Sequence, residues 1–271
     1  MWQNIPSKSP LKNIEMQVDL KIGIIGGSGM EDPGFISDYN AKDISTRYGK
    51  PSSQLILGSI ANVPVAILSR HGLGHSINPT NVNYRANISA LKEEGCTHIL
   101  AVTACGSLRE RIAPGHFVFP DQFIDFTTKR INTFFDGPNV KHVPMGEPFS
   151  ASIRRCLVKG CKKLDFKYHD GGTVVTIEGP RFSSKAESMM FRSWNCDVIN
   201  MSTVPEIILA RELNIKYQSI AMSTDYDCWR EDGEEVTMEM IYAIMKKNVN
   251  NVKRLIEDAV VQLKTIDNEK G

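Results

Sequence analysis

Short apolar runs that end in glycine, alternating with helix-patterned segments, constrain this chain more than any other feature. Lys21–Gly27 (KIGIIGG) is a continuous apolar run of strand length closed by glycine, as expected of a buried strand. Val63–Arg70 (VPVAILSR), His98–Gly106 (HILAVTACG), His116–Asp125 (HFVFPDQFID), Thr173–Gly179 (TVVTIEG), Asp197–Met201 (DVINM) and Ile215–Asp225 read as further strands. Between them, Asn83–Gly95 has a helical pattern with a glycine stop. Ser152–Leu164 is a basic amphipathic helix with Ile153, Leu157 and Val158 on one side, its charge run a solvated face. Val204–Leu213 is helical, with Glu206 near its start favouring the macrodipole. A long helix from about Thr237 to Thr265 carries Ile241, Ile244, Met245, Val249, Val252 and Ile256 at helical spacing. The alternation predicts an α/β fold with a largely parallel sheet.

Composition removes other classes. The chain has 271 residues, 41% hydrophobic and 23% charged, enough for a sizeable core and unlike a disordered polymer. Lys and Arg total 32 against 31 for Asp and Glu, a net charge of +1. No whole-protein grip on nucleic acid or an anionic membrane follows, so an anion must be caught by a local site. No apolar run approaches the ~18–20 residues that span a bilayer. Residues 1–20 read as a flexible leader with no secretory core, and residues 21–271 as one domain. Within it Asn132–Pro148, rich in Gly, Pro, Asn and Phe, reads as a long functional excursion. Six cysteines without a CxxC pair read as reduced, buried thiols of a cytoplasmic protein.

Polar chemistry collects at the predicted strand ends. Gly23-Ile-Ile-Gly-Gly-Ser28-Gly29 offers backbone donors and a hydroxyl to an anion, or makes a plain tight turn; its spacing departs from the dinucleotide fingerprint. Ser69-Arg70-His71-Gly72 puts a planar donor fork and a responsive imidazole where open α/β sheets bind ligands. The spacing of His71 and His75 suits a metal only on a helix, which Gly72 and Gly74 oppose. Thr103-Ala104-Cys105-Gly106-Ser107 lets a flat ligand approach the backbone, and no histidine stands in an activating frame for Cys105. Glu178-Gly-Pro-Arg-Phe182 presents an arginine and an aromatic suited to stacking on a base, Phe182 being equally at home in a core. In Asn200-Met201-Ser202-Thr203, Ser202 or Thr203 suits a helix cap or an anion at a helix start. Asp225-Tyr226-Asp227 suits Mg²⁺, or a ring NH and an exocyclic amine.

Taken together, Val82–Glu110, Thr176–Trp194 and Ile199–Trp229 resemble the S-methyl-5'-thioadenosine phosphorylase family, in the trimeric branch of the purine nucleoside phosphorylases. The resemblance covers roughly Lys21 to Glu257. It implies a single nucleoside phosphorylase domain around a central mixed, partly barrel-like sheet flanked by helices. It implies phosphorolysis, with phosphate attacking C1' of the ribose, no organic cofactor or metal, a homotrimer, and a cytoplasmic or nuclear location. Carried over by resemblance, Ser28, Arg70, His71, Thr103, Ala104 and Ser202 bind phosphate. Met201 lies under the ribose, Phe182 and Ala104 flank the purine, and Asp225, Tyr226 and Asp227 form the purine segment. Asp225 is the acid at N7. Ser183, Met238, Ile241 and Tyr242 bear on substrate choice, and His142 is lent to the 5' pocket by a neighbouring subunit. Ser28 and Ser202 stand where the family often has Thr, with the hydroxyl kept. Met238, Ile241 and Tyr242 are bulkier than the family's common Val and Leu, and the chain ends short of the family's tail over the 5' pocket. These departures predict slack 5' selectivity, with adenosine accepted. The alternatives are a 6-oxopurine (inosine/guanosine) phosphorylase, whose branch typically carries Asn at the base, and a non-catalytic nucleoside-binding protein.

Overall fold

The computed structural model describes residues 19–26, 34, 36–230 and 237–268. In chain order these form β1 (Ile22–Gly26), β2 (Ser37–Lys42), β3 (Leu55–Ile60), β4 (Val63–Ser69), α1 (Tyr84–Glu93), β5 (His98–Ser107), β6 (Phe117–Phe119) and β7 (Gln122–Phe126). There follow α2 (Ala151–Leu164), β8 (Tyr168–Asp170), β9 (Thr173–Ile177), α3 (Lys185–Ser193), β10 (Val198–Asn200), α4 (Thr203–Glu212), β11 (Lys216–Asp225) and α5 (Met238–Asn268). The expected leader falls almost wholly outside the described residues, as does Ser28. No helix among the described residues is long and apolar enough to cross a membrane.

All the strands join one mixed sheet. A path runs β2-β3-β4-β1-β5-β10-β9-β7, and β11, β6 and β8 branch from it at β5. The central pairings of β1 with β4 and β5, and of β11 with β5, are parallel. The meander β2-β3-β4 and the β5–β10 contact are antiparallel. β5 is where the sheet forks: it lies between β1 and β11 along its first part, and Gly106 and Ser107 at its end pair with Ile199 and Val198 of β10.

The period of 2 along buried strands feeds two cores. Ile22, Ile24, Val65, Ile67, Leu100 and Val102 face one side, packed by Leu157 of α2 and Leu255, Ile256 and Val260 of α5. Ile25, Ala66, Leu68, Ile99 and Ala101 face the other, packed by Ile88 and Leu91 of α1 and Ile207 and Leu209 of α4. Fully burying each Val, Leu or Ile among them contributes roughly 1.5–3 kcal/mol, and truncating Leu255 in the middle of one layer costs about 2–5 kcal/mol. Helix starts are capped locally: Asn83 accepts from Ala86 N, and Ser184 forms a reciprocal box with Glu187.

The architecture is the expected α/β one, with four added elements. β2, β3, β8 and α3 lie outside the sequence-predicted set. The single strand expected over His116–Asp125 is two: β6 pairs with β11 and β8, β7 pairs with β9, and Pro120, which has no N–H to give a ladder, separates them.

Candidate active site

The carboxyl ends of β4, β5, β9, β10 and β11 open into one cleft, partly open to solvent, with the first turns of α5 along its side. This is the ligand position of an open α/β sheet. Arg70, His71, Thr103, Ala104, Met201 and Ser202 line it together with Phe182, Ser183, Asp225 and Asp227.

One corner is built for an anion. The Arg70 guanidinium is buried, and its Nε and Nη2 donate to the two carboxylate oxygens of Glu206 on α4 at 2.6 and 3.0 Å. Its Nη1 donates to the Val102 carbonyl on β5 at 2.8 Å. Ser202 occupies the cap position of α4 but makes no side-chain cap bond. Its hydroxyl instead lies 2.6 Å from Thr103 Oγ1. Asn200 Oδ1 accepts from Thr176 Oγ1 at 2.9 Å, while its Nδ2 donates to Thr203 Oγ1 at 2.7 Å, fixing the β10–α4 turn. His71 Nδ1 is 2.9 Å from the Ile77 carbonyl, so in the neutral ring this nitrogen is the donor and Nε2 carries the lone pair. Burial, then the charge of Arg70, lowers the His71 pKa to about 3. His71 stacks on His75 with ring centroids 4.3 Å apart, on a turn where Gly72 and Gly74 take left-handed backbone angles.

The opposite wall is acidic. β11 carries an irregularity between Ser223 and Asp225: Ser223 pairs with Cys105 and Asp225 with Gly106, so Thr224 is an extra residue. Such a bulge re-aims the strand end, and both Asp225 and Asp227 line the cleft. Gly106 is required beneath them, since a Cβ there would lie 2.9 Å from Asp225 Oδ1 and 3.3 Å from Asp227 Cβ. Asp225 Oδ1 accepts from Asp227 N and its Oδ2 from Thr224 Oγ1, each at 2.7 Å. Burial, reinforced by the neighbouring Asp227 charge, raises the Asp225 pKa despite those hydrogen bonds. Between the two walls Met201 lies against bare backbone, and a Cβ on Gly179 would meet its sulfur at 2.5 Å.

Most site residues expected from the sequence and described by the structure meet here; three, Tyr226, Tyr242 and His142, do not line the cleft. Tyr226 is outside the lining: it lies between two inward-facing acids, its hydroxyl donates to the Glu110 carbonyl at 3.4 Å, and its ring packs edge-on to Trp229. Met238 and Ile241 line the cleft, whereas Tyr242 stays 41% exposed, edge-on to His75. His142 is exposed and is not among the residues that line this chain's own cleft. Glu206, read as a macrodipole charge, is fully buried and is the partner of Arg70. The signal was available, because a carboxylate inside the apolar run of VPEIILA needs a buried partner. His75, Asn200, Thr224 and Met245 also line the cleft and were not among the expected ligands. Cys105 is buried, with its thiol pKa pushed up by burial and Asp225, the opposite of an activated nucleophile. Among the described residues no group of three or more His, Cys, Asp or Glu is arranged to hold a metal ion.

Comparison with known proteins agrees with this geometry. A family model, the phosphorylase superfamily, matches residues 21–261. The S-methyl-5'-thioadenosine phosphorylase of Danio rerio is 55% identical over 253 residues, covering 92% of this chain and 90% of its own. That of Xenopus tropicalis is 56% identical over 254 residues, with the same 92% and 90% coverage. Among solved structures, methylthioadenosine phosphorylase from Schistosoma mansoni with adenine bound superposes with a TM-score of 0.88 at 41% identity, covering 91% of this chain and 93% of its own. A variant of the same organism's adenosine/methylthioadenosine phosphorylase, in complex with methylthioadenosine, gives 0.87 at 40% identity, covering 91% and 92%.

Proposed function

The chain belongs to the phosphorylase superfamily, among the S-methyl-5'-thioadenosine phosphorylases, and we propose that it cleaves S-methyl-5'-thioadenosine with inorganic phosphate to adenine and S-methyl-5-thioribose 1-phosphate. It is thus a phosphate-dependent pentosyltransferase of purine and methionine salvage. The observation that carries the reading is the pairing, in one cleft, of an arginine–hydroxyl corner with a buried carboxyl pair across a methionine floor.

The mechanism follows from that pairing. Phosphate sits among Arg70, His71, the Thr103 and Ser202 hydroxyls and the backbone at Ala104, and Ser28 adds a donor by resemblance. Held beneath C1', one phosphate oxygen forms the new bond as the C1'–N9 bond breaks through an oxocarbenium-like state. The bonding pair passes into the purine, and Asp225, whose pKa burial raises in the direction that favours the acid form, delivers its proton to N7. Asp227, fixed by Ser183, accepts from the 6-amino group, which favours adenine over 6-oxopurines. Phe182 stacks on the base and Met201 supports the ribose. Phosphate is the co-substrate and no other cofactor enters the scheme.

Two finer readings belong to the same proposal. Met238, Ile241 and the exposed Tyr242 flank the 5' end, and Tyr242 supplies a hydroxyl to a 5'-OH, so adenosine is a second substrate. His142, exposed and apart from its own cleft, completes the 5' pocket of a neighbour in a homotrimer. Free-base release from methylthioadenosine, adenosine and inosine, each with and without phosphate, tests the scheme. Phosphate-dependent release favouring methylthioadenosine supports it, preference for inosine overturns the purine assignment, and adenosine turnover below a thousandth of the methylthio substrate's ends the 5' reading. Light scattering on the active enzyme decides the trimer, and an active monomer refutes the shared pocket.

A further inference from the structure

A carboxylate with no exposure lies inside the apolar face of α4, paired with an arginine that is 1% exposed. Burying such a pair seldom adds stability, because desolvating two charges offsets their attraction and a well-packed apolar pair often serves as well. What a pair of this kind does supply is a fixed geometry, and here the geometry is specific. Glu206 grips the side edge of the Arg70 guanidinium through Nε and Nη2 at 2.6 and 3.0 Å. Val102 O takes a hydrogen of Nη1 at 2.8 Å. Tyr217, buried on β11, donates its hydroxyl to Glu206 Oε2 at 2.9 Å and so fixes the carboxylate in turn. These contacts occupy three of the five N–H groups of Arg70 and leave one hydrogen on each terminal nitrogen. N–H groups left on two neighbouring nitrogens suit two oxygens of one anion.

We propose that Glu206 is a positioning residue for phosphate, with Tyr217 behind it: the two hold the Arg70 fork toward the Thr103–Ser202 hydroxyl pair, so that α4, β5 and β11 together set the angle at which phosphate is presented. This rests on the phosphorolysis reading of the cleft. It assigns Glu206 no contact with substrate. Because Glu206 offsets the charge of Arg70, phosphate is held by aimed donors rather than by an excess of positive charge. Orientation of Arg70 therefore governs affinity, and loosening the clamp weakens phosphate more than it weakens nucleoside.

The test measures phosphate KM, nucleoside KM and kcat separately for the unaltered enzyme, Glu206→Gln and Tyr217→Phe, alongside calorimetric binding of inorganic phosphate to each folded protein. Glu206→Gln keeps the size but puts an amide donor against an arginine donor, and Tyr217→Phe removes only the hydroxyl. The expected result is a phosphate KM raised tenfold or more in Glu206→Gln and about threefold in Tyr217→Phe, with nucleoside KM within twofold of the unaltered enzyme. A purely structural role would lower the melting temperature and leave the two KM values in their original ratio, which overturns the proposal. Tighter phosphate binding by Glu206→Gln also overturns it, since the carboxylate would then act as a charge brake. Should Glu206→Gln fail to fold, Tyr217→Phe decides by the same ratio. Calorimetry separates the two readings: phosphate binding that is weakened in the variants while the unaltered enzyme binds phosphate but cleaves no nucleoside refutes the reaction and leaves the clamp standing, whereas no phosphate binding by the unaltered protein refutes both.

Discussion

The Ser183 hydroxyl lies 2.7 and 2.8 Å from the two carboxylate oxygens of Asp227, so a single hydrogen is shared across the whole acid. Asp227 sits at φ 52°, a backbone angle that few side chains adopt, and the serine fixes where its carboxylate points. A hydrogen bond to a charged group contributes about 1.5–3 kcal/mol. Ser183→Ala should therefore lower kcat/KM for adenine nucleosides roughly 10- to 100-fold, while inosine cleavage changes much less. Steady-state kinetics on both substrates checks this, and equal losses on the two would separate Ser183 from amino-group recognition.

Asp225 carries the proton argument. Its pKa is raised chiefly by burial, so the acid form persists to higher pH than for an ordinary aspartate. Activity that depends on the protonated form is lost as pH rises through that raised pKa. Asp225→Asn should remove this alkaline limb and cut adenine-nucleoside turnover by about 10²-fold or more, in line with the contribution of a positioned acid. The ratio of adenosine to inosine kcat/KM should fall with it. An unchanged ratio and an unchanged pH profile would mean that another group protonates N7.

Gly106 is a steric prediction. A methyl group there would stand 2.9 Å from Asp225 Oδ1 and 3.1 Å from Ile199 Cγ2. Overpacking of this kind costs about 1–3 kcal/mol. Gly106→Ala should reduce kcat/KM at least tenfold while phosphate KM stays near its original value, because the strain falls on the acidic wall. Kinetics with each substrate varied in turn resolves the two effects.

His71 gives a pH dependence with a definite sign. Its folded-state pKa of about 3 lies below the ordinary 6.5. Between those values the folded chain binds fewer protons than the unfolded chain, so this residue's contribution to stability is complete above about 6.5 and is lost as pH falls toward about 3. The drop in urea midpoint from pH 7 to pH 5 should be smaller in His71→Asn than in the unaltered protein. A larger drop in the variant would show that His71 is already charged.

Much of the site was legible because strand ends in a parallel sheet advertise themselves. β1, β4, β5 and β11 are apolar runs, and the polar residues that close them, Arg70, Thr103 and Asp225, reach the cleft. β2 escaped notice because all six of its residues are exposed and mostly polar. α3 escaped because its polar surface hides a short buried face, although the Ser184–Glu187 box was a readable start signal. Glu206 does stand in the first turn of its helix, but its pairing is hidden in the sequence for a different reason. One sequence shows a charge near a helix start, whereas its partner Arg70 lies 136 positions away and only the folded sheet brings them together. Tyr226 shares the purine segment in sequence, yet β11 ends at Asp225 and the chain turns at Asp227, where φ is 52°, so the Tyr226 ring packs on Trp229 instead of lining the cleft.

The fork at β5 makes that strand a ruler. On the proposed mechanism, Thr103 belongs to the corner that receives phosphate, and Gly106, in contact distance of Asp225, backs the wall that receives the purine. Three steps of extended chain separate them, about 10 Å at ~3.3 Å per residue, which is of the order of a nucleoside's length. The spacing between the phosphate corner and the purine wall is thus written into covalent bonds rather than left to the packing of separate loops. Side-chain changes on either wall alter how firmly a substrate is held, whereas an inserted or deleted residue between Thr103 and Gly106 would change the spacing of the walls themselves.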